Sequence, residues 1–376
     1  MAYVLVAPDK FKGSLTARQA ADAIARGLAK ACPEISVRRV PVADGGEGTV
    51  DAALAAGYQP VTVPVRGPTG EPVTATIATR GDQAVVEAAA AGGLSLLPGG
   101  ILAPLAASSF GVGELLLAAL DRGCRTVLLG VGGTASTDGG AGMVAALGAR
   151  LLDRAGSPLS AGGGALADLA EVDLSTMDTR LADVDVQLAC DVDHRLLGDH
   201  GAAAVFGPQK GADPDQVTRL DRGLTRWAEL ISKATDTDLA GSPGAGAGGG
   251  LGFAALAVLN ALARPGVELL LQLTGFAEQL AGARLVITGE GALDEQTLHG
   301  KAPVGVASAA RAAGAPVIAV AGRCELTADQ LAAAGFAAGY SLAELEPDPA
   351  LSMANAEWLL ERLAAKIGRD WLEVSG

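Results

Sequence analysis

Lysines and carboxylates concentrate in the glycine-rich loops of this 376-residue chain. Lysine is a compact, mobile cation suited to phosphates and carboxylates, and a neighbouring helix N terminus adds N–H groups that favour the same anions. Carboxylates beside lysines and glycines suit Mg²⁺ carrying a nucleotide, because Mg²⁺ is usually held by one or two carboxylates plus phosphate oxygens. The four lysines found in such loops, of seven in the chain, are Lys10, Lys12, Lys210 and Lys301. The acidic residues that follow predicted strands are Asp9, Asp44, Glu47, Asp138, Asp191, Asp193, Glu290 and Asp294.

Familiar catalytic and nucleotide-binding motifs are mostly missing. No G-x-x-x-x-G-K-[ST], H-E-x-x-H or G-x-S-x-G is present, which excludes a P-loop and disfavours metallohydrolase and serine-hydrolase chemistry. Gly244, Gly246 and Gly249 match G-x-G-x-x-G, but no strand is predicted before them. A nicotinamide-dependent hydroxy-acid oxidoreductase is therefore a distant alternative.

The elements that must position these loops alternate between strand and helix. Apolar spacing predicts a helix over residues 16–31, and Thr16 with Gln19 forms a capping box. A helix is predicted from the glycine-rich loop after residue 131 through Leu152, and another after Pro303. The strands are predicted over residues 3–7, 37–42, 126–131, 185–190, 285–288 and 317–320. Such alternation predicts a mainly parallel α/β sheet, in which ligands bind outside the carboxyl ends of the strands.

Residues 59–87 break this pattern with short Val/Thr runs and turn sequences that predict an antiparallel meander. We take the meander as the start of a second domain. Because residues 284–320 repeat the layout of the N-terminal unit, the first domain is predicted to be discontinuous. The predicted domains are residues 1–65 with 285–376, and an inserted domain of residues 66–284.

Composition limits the partners and the compartment. Lys and Arg total 28 against 42 Asp and Glu, a net charge of −14, which is the wrong sign for binding a nucleic-acid backbone. The uncharged stretches are interrupted by Pro and Gly, so no membrane span is predicted. The four cysteines are far apart and the N terminus lacks a signal-peptide pattern, so we expect a cytoplasmic protein.

Taken together, the loops resemble one family, the bacterial glycerate kinases of the first type. The matching stretches span nearly the whole chain in the family's order: APDKFKGSLTA from Ala7, VPVADGGEGTVDA from Val40, GVGGTASTDGGAGM from Gly130, ACDVDHRLLGDHGAAAVFGPQKGA from Ala189, PGAGAGGGLGFA from Pro243 and TGEGALDEQTLHGKAPVGVA from Thr288. This chain has Thr137 where the family commonly has Asn, Ala292 where it has Arg, and D-H-R at residues 193–195 where it has T-N-P.

The resemblance implies an α/β fold of two domains: a discontinuous Rossmann-like (flavodoxin-like) parallel-sheet domain, and a mixed-sheet α/β domain inserted in it. The site is expected in the cleft between them. The implied activity is ATP- and Mg²⁺-dependent phosphorylation of D-glycerate to 2-phosphoglycerate by a monomer or homodimer. Alternatives are a kinase that forms 3-phosphoglycerate or acts on a related hydroxy acid, and a non-catalytic anion-binding protein.

Phosphoryl transfer needs positioning and charge neutralisation more than covalent chemistry, and roles are assigned to the matching residues on that basis. The expected catalytic residues are Asp191 as the base for the substrate hydroxyl, with Lys12 and Lys301. The expected substrate-binding residues are Asp9, Lys10, Ser14, Asp44, Gly45, Gly46 and Glu47. The expected ATP-binding residues are Gly132, Gly133, Thr134, Asp138, Lys210, Gly246, Gly248 and Gly249. Mg²⁺ is expected to be bound by Asp44, Glu290 or Asp294.

Overall fold

A computed structural model describes residues 3–372, apart from the side chain of His299. Residues 1–2 and 373–376 of the first predicted domain lie outside the described residues. The strands in this range are β1 (Tyr3–Pro8), β2 (Ser36–Arg39), β3 (Gln59–Arg66), β4 (Pro72–Arg80), β5 (Gln83–Glu87), β6 (Thr126–Gly130), β7 (Arg150–Asp153), β8 (Leu169–Asp173), β9 (Asp185–Ala189), β10 (Leu262–Arg264), β11 (Ala283–Leu293), β12 (Val317–Cys324) and β13 (Ala338–Ser341).

Helices follow most of these strands. Over the same described range they are α1 (Ala17–Ala31), α2 (Thr49–Ala55), α3 (Ala89–Gly92), α4 (Phe110–Asp121), α5 (Ala141–Ala146), α6 (Ala202–Phe206), α7 (Pro214–Thr235), α8 (Ala247–Val258), α9 (Gly266–Leu273), α10 (Phe276–Leu280), α11 (Ala302–Ala312), α12 (Ala328–Ala333), α13 (Pro349–Ala354) and α14 (Ala356–Trp371). The predicted capping box of α1 is confirmed, because Thr16 Oγ1 accepts from Gln19 N and the Gln19 side chain accepts from Thr16 N.

The chain divides into two compact units. Unit 1 comprises Met1–Asp44, Asp51–Gly57 and Val267–Gly376, and unit 2 comprises Gly45–Val50 and Tyr58–Gly266. These boundaries differ from the predicted ones at residues 65/66 and 284/285. β3 pairs along its whole length with β4 and so belongs to unit 2. Apolar residues of α9 and α10 pack in the core of unit 1, which therefore resumes before β11.

Unit 1 is built on a five-stranded parallel sheet in the order β13-β12-β11-β1-β2. β1 is buried along its whole length. Its alternate residues pack into different cores: Val4 and Val6 lie with the apolar faces of α1 and α14, whereas Leu5 and Ala7 lie with residues of α9–α11. Helices therefore cover both sides of a doubly wound sheet. The strand order corresponds to the flavodoxin-like pattern, with its switch point between β1 and β11.

Unit 2 contains a six-stranded mixed sheet in the order β10-β9-β6-β5-β4-β3, and a separate antiparallel pair, β7 with β8. β10, β9, β6 and β5 run parallel, and the predicted meander supplies the antiparallel edge formed by β4 and β3. The largest fully buried side chain in the described residues is Trp227 of α7, whose Nε1 donates to Gly139 O at 2.9 Å. The predicted combination of a parallel sheet with a mixed sheet is confirmed.

Four predicted elements were wrong in extent. β11 and β12 continue to Leu293 and Cys324, past the predicted ends at residues 288 and 320, so Glu290 lies within a strand and not after it. The helix expected through Leu152 ends at Ala146, because the chain turns at Gly148, where φ is +105°, and then enters β7. The strand expected over residues 37–42 ends at Arg39, before Pro41, although Val40 N and Val42 N still donate to carbonyl groups of β1. Within residues 3–372, no helix is long and apolar enough to cross a membrane.

The packing of α1 against α14 yields a stability prediction. A Cβ atom on Gly27 would overlap the carbonyl oxygen of Glu361. Helix propensity alone would make Gly27→Ala stabilising by about 1 kcal/mol. We expect instead a loss of about 1–3 kcal/mol in the free energy of unfolding, because the two helices must separate. Urea denaturation measures the change. A matched Gly241→Ala variant, whose Cβ would meet nothing within 4 Å, should stay within about 1 kcal/mol of the parent.

Candidate active site

The switch point of unit 1 lies where β1 ends at Pro8, opposite Gly289 of β11. Asp9 N donates to Gly289 O at 2.8 Å, which extends the pairing of the two strands to the loop. Beyond Asp9, Phe11 is buried and exchanges hydrogen bonds with Leu15. The buried Phe11 anchors a tight turn whose flanking lysines remain at the surface: Lys10 is half-buried and Lys12 is exposed.

Asp9 is the most deeply buried carboxylate at this edge, with 5% of its surface exposed. Lys10 N donates to Asp9 Oδ1 at 2.6 Å. Burial, together with the negative charges of Asp44 and Glu290, raises the pKa of Asp9 to about 8, although Lys10 acts in the opposite direction. Asp9 is therefore mostly protonated at neutral pH and is poorly suited to act as a general base there.

Glu290, on β11, is the centre of a second group of side chains. It is 8% exposed, and burial raises its pKa. Lys301 Nζ lies 3.3 Å from Glu290 Oε2 and 3.8 Å from Asp294 Oδ1. The fully buried hydroxyl of Thr297 donates to Glu290 Oε1 at 2.7 Å, and Thr297 N donates to Asp294 Oδ1 at 3.2 Å. These contacts fix the carboxylate of Glu290 from two sides.

The role of Thr297 was missed in the sequence. The available signal was the Asp294-x-x-Thr297 spacing, since Asp and Thr side chains at such distances often bond to nearby backbone groups. No apolar periodicity or glycine marks this position. Only the fold shows that the hydroxyl bonds to a carboxylate on the preceding strand.

In unit 2 the predicted residues lie beyond the carboxyl ends of the parallel strands. Asp191 follows β9, is exposed, and accepts a hydrogen bond from Gly266 N at 2.8 Å through Oδ1. Gly45, Gly46 and Glu47 belong to this unit and not to unit 1, where Asp44 lies.

The loop after β6 is organised around Asp138, which is 1% exposed. Its Oδ2 accepts from Ser109 N at 2.8 Å, Ser109 Oγ at 2.9 Å and Gly142 N at 3.2 Å, and its Oδ1 accepts from Gly140 N at 3.2 Å. The carboxylate thus joins the starts of α4 and α5. These contacts shape the loop that carries Gly132, Gly133 and Thr134.

Lys210 lies in the interior, with 3% of its surface exposed. Its Nζ is 2.5 Å from Ser136 O and 3.4 Å from Thr134 Oγ1. Burial lowers the pKa of Lys210 to about 8, against the opposing effect of Asp138. The ammonium group therefore holds the loop after β6 from within and does not face solvent.

The glycines at the start of α8 leave room for this arrangement. Gly248, Gly249 and Gly250 all have positive φ, and a Cβ on Gly249 would lie 2.8 Å from Lys210 Nζ. Beside them, the hydroxyl groups of Ser136 and Thr137 are buried without a hydrogen-bond partner in the described part of the chain. Buried polar groups are rarely left unpaired, so these two hydroxyl groups require an explanation such as a bound water, ion or ligand.

Two kinds of ligand site were sought in the described residues, a dinucleotide-binding motif and a cluster of metal-ligating side chains. The Gly244-x-Gly246-x-x-Gly249 motif lies between α7 and the body of α8, with no strand before it, so it lacks the context of a dinucleotide-binding motif. Across residues 3–372, no group of three or more His, Cys, Asp or Glu residues is arranged to hold a metal ion.

The structure thus groups the predicted residues by unit. Those at the carboxyl edge of the unit 1 sheet or in the segments that continue from it are Asp9, Lys10, Lys12, Ser14, Asp44, Glu290, Asp294 and Lys301. Those in unit 2 are Gly45, Gly46, Glu47, Gly132, Gly133, Thr134, Asp138, Asp191, Lys210, Gly246, Gly248 and Gly249. A doubly wound sheet with lysines and carboxylates at its switch point is typical of an α/β enzyme that binds anionic ligands.

Comparison with known proteins specifies the class further. Residues 4–372 match the model of the glycerate kinase family. A glycerate kinase from Halalkalibacterium halodurans is 45% identical over 368 residues, 97% of each chain. The glycerate 2-kinase of Escherichia coli K12 is 45% identical over 322 residues, 85% of this chain and 84% of its own. A solved structure from Salmonella typhimurium LT2, provisionally named glycerate kinase 2, is 41% identical and superposes with a TM-score of 0.84 over 98% of each chain.

The chain belongs to the glycerate kinase family. It is therefore an enzyme, a kinase of glycerate metabolism, and the resemblance seen in the sequence is confirmed. The alternative of a non-catalytic anion-binding protein is not supported.

The buried carboxyl of Asp9 leads to a prediction about stability and pH. The pKa of Asp9 is about 8 in the folded protein, whereas an unperturbed aspartate has a pKa of 3.8. Between these two pH values the folded state therefore binds more protons than the unfolded state. The contribution of Asp9 to stability therefore falls as the pH rises through this range. Asn cannot ionise, so the melting temperature of Asp9→Asn relative to the parent should increase from pH 5 to pH 9. Differential scanning calorimetry in EDTA measures this change.

Asp173 provides a control for the pH series. Hydrogen bonds from Ser175 and Arg150 lower the pKa of its carboxylate, so it is charged in both states from pH 5 to pH 9. Asp173→Asn should shift the melting temperature by the same amount throughout this range. If Asp9→Asn also gave a constant shift, the buried Asp9 would be ionised at neutral pH and our assignment would be wrong.

Proposed function

We propose that this enzyme catalyses the ATP- and Mg²⁺-dependent phosphorylation of D-glycerate to 2-phosphoglycerate. The observation that carries the proposal is the set of lysines and carboxylates at the switch point of unit 1, where Lys301 pairs with Glu290 and Asp294. The relative from E. coli that is named a glycerate 2-kinase supports the 2-hydroxyl as the acceptor. ATP is a cytoplasmic metabolite, so the proposal implies a cytoplasmic location.

In unit 1, we assign anion binding to the turn after β1. Lys12 is exposed, and Lys10 lies on the other side of the buried Phe11, so the turn presents cations beside the switch point. Ser14 Oγ donates to Phe11 O at 3.0 Å and stabilises the turn itself. The carboxylate of glycerate or the transferred phosphate would be bound here.

One or two of the carboxylates of Asp44, Glu290 and Asp294 would supply oxygen donors for Mg²⁺, and phosphate oxygens of the nucleotide would supply others. Carboxylate oxygens are hard ligands, and Mg²⁺ commonly takes one or two of them together with phosphate oxygens, so the residues fit the ion. When bound, Mg²⁺ would neutralise charge on the phosphates. Thr297 and Lys301 would keep Glu290 oriented and limit the repulsion between it and Asp294.

In unit 2, we assign Asp191 as the base that accepts the proton of the substrate hydroxyl. It is exposed and its Oδ1 is oriented by Gly266 N. Main-chain N–H groups of Gly132–Thr134 and Gly246–Gly249 would approach the nucleotide, as glycine permits close contact with backbone. Lys210 would act indirectly, by holding the first of these loops.

The proposal is tested by measuring ADP release from Mg-ATP with D-glycerate, L-glycerate, tartronate or no acceptor. Phosphorus NMR then identifies the product. We expect release that depends on D-glycerate, forms 2-phosphoglycerate and stops with EDTA. Formation of 3-phosphoglycerate would overturn the assignment of the 2-hydroxyl. Release equal to the blank with every acceptor would overturn the proposed reaction.

The role of Asp191 is tested by Asp191→Asn, which keeps the size of the side chain and its acceptor oxygen for Gly266 N. Loss of the base should lower kcat about 100-fold or more, with an unchanged melting temperature. Asp193→Asn is the matched control, since Asp193 is an exposed carboxylate in the same loop. It should retain kcat within about twofold of the parent. A kcat for Asp191→Asn close to that of the control would exclude Asp191 as the base.

A further inference from the structure

A short segment of the chain belongs to a different unit from the residues on either side of it. Gly45–Val50 is part of unit 2, whereas the chain before it, through Asp44, and after it, from Asp51, is part of unit 1. We call residues 45–50 the crossing segment. It contains Gly45, Gly46 and Glu47, which the resemblance to the glycerate kinases implies as substrate-binding residues. Whatever fixes this segment therefore bears on substrate binding.

Glycine backbones allow the crossing segment to lie against the carboxyl ends of neighbouring strands of unit 2. A Cβ on Gly130, at the end of β6, would overlap the carbonyl oxygen of Gly45, and a Cβ on Gly132 would lie 3.0 Å from Gly46 Cα. On the β9 side, a Cβ on Gly45 would lie 2.6 Å from Ala189 Cβ. These contacts permit close approach, but van der Waals contact has no direction and does not by itself select one position along the edge.

A directional contact comes from Glu87, the last residue of β5. Glu87 pairs in register with Gly130 and is 8% exposed. Its Oε1 accepts a hydrogen bond from Val50 N at 2.6 Å. Val50 is the second residue of α2, so its N–H has no acceptor within the helix. A carboxylate is a strong acceptor for such a group and is favoured by the helix dipole.

The crossing segment also contains a hydrogen-bonded turn, from Gly46 to Thr49. Thr49, 1% exposed, donates from Oγ1 to Gly46 O at 2.6 Å, and Thr49 N donates to the same carbonyl at 3.3 Å. The turn from Gly46 to Thr49 is therefore closed by hydrogen bonds directly before Val50. Fixing Val50 N fixes the position of the turn that holds Gly46 and Glu47.

We propose that Glu87 is a positioning residue for substrate binding: its carboxylate holds Val50 N and thereby places the crossing segment at the carboxyl edge of the unit 2 sheet. This inference rests on the proposed phosphorylation of D-glycerate. Glu87 was not among the residues selected from the sequence, because it ends a strand of the meander and is followed by an apolar run, A-A-A-A.

The test compares Glu87→Leu, which removes the acceptor, with Glu87→Gln, which keeps an oxygen at the same reach. For Glu87→Leu we expect the KM for D-glycerate to rise about tenfold, because a buried N–H loses its acceptor and the turn loses its place. The KM for ATP should change less than about twofold. Glu87→Gln should restore most of the parental KM. Hydrogen–deuterium exchange of peptides covering residues 45–50 should be faster in Glu87→Leu only.

Glu114 supplies the matched control. Its Oε2 accepts from Arg66 N at 2.6 Å, the same kind of bond at the same distance and in the same unit, but at the end of β3. Glu114→Leu should leave both KM values and the exchange of residues 45–50 unchanged. If Glu87→Leu does not fold, Glu87→Asp, which shortens the side chain by one methylene, should show the same selective rise in the KM for D-glycerate.

The outcomes separate this inference from the proposed function. A parental KM for D-glycerate in a folded Glu87→Leu or Glu87→Asp variant overturns the positioning role. Equal losses in the Glu87 and Glu114 variants also overturn it, since they would indicate general destabilisation. An inactive parent enzyme overturns the proposed function. Hydrogen–deuterium exchange needs no activity, so it would still test the contact in an inactive enzyme. If residues 45–50 exchanged at the same rate in Glu87→Leu and in the parent, the hydrogen bond from Val50 N to Glu87 would not hold the crossing segment.

Discussion

The parallel pairing of β1 with β11 is the interaction on which the architecture of unit 1 depends. It joins the start of the chain to a strand that begins at Ala283, with Val4 opposite Leu285 and Pro8 opposite Gly289. The pairing joins the N-terminal and C-terminal portions of unit 1, which are far apart in the sequence. It also creates the switch point of the sheet, and so brings the lysines after β1 to the same edge as Glu290.

At the carboxyl edge of the unit 1 sheet, the main electrostatic effect is the free-energy cost of burying the carboxylates of Asp9 and Glu290. Asp9 avoids the cost by remaining protonated near neutral pH, whereas Glu290 is compensated by Lys301 and by the hydroxyl of Thr297. In unit 2, buried charges shape loops instead. Asp138 accepts N–H groups at two helix starts, and Lys210 binds the carbonyl of Ser136. Two residues of types normally expected to contact ligands thus act within the protein.

Close backbone contact is the second constraint, and it explains much of the high glycine content. Gly130 and Gly132 admit the crossing segment, while Gly249 admits Lys210 and the loop after β6. Glycine allows two backbones to approach closely but does not fix their relative position. Directional hydrogen bonds are therefore needed to fix the crossing segment and the loop after β6. Glu87 and Asp138 supply these contacts at the ends of β5 and near the end of β6.

The sequence by itself determined the class of fold, most of the elements and the family. Apolar periodicity and the Thr16–Gln19 capping box are local signals, and motif order along the chain is independent of three-dimensional contacts. These are the reasons why the helix at Ala17–Ala31, the meander and the parallel sheet were predicted. The end of α5 was missed, although Gly148 is a residue type that commonly ends a helix.

Only the tertiary structure decided which polar residues are exposed and which are buried. Lys210 and Lys12 both lie in glycine-rich loops, yet one is buried and the other exposed. Thr297 and Glu87 carry no motif, because their hydrogen-bond partners come from other elements of the fold. Burial, pKa shifts and long-range hydrogen bonds arise from contacts between residues that are far apart in the sequence. They could therefore not be predicted from residue type and spacing alone.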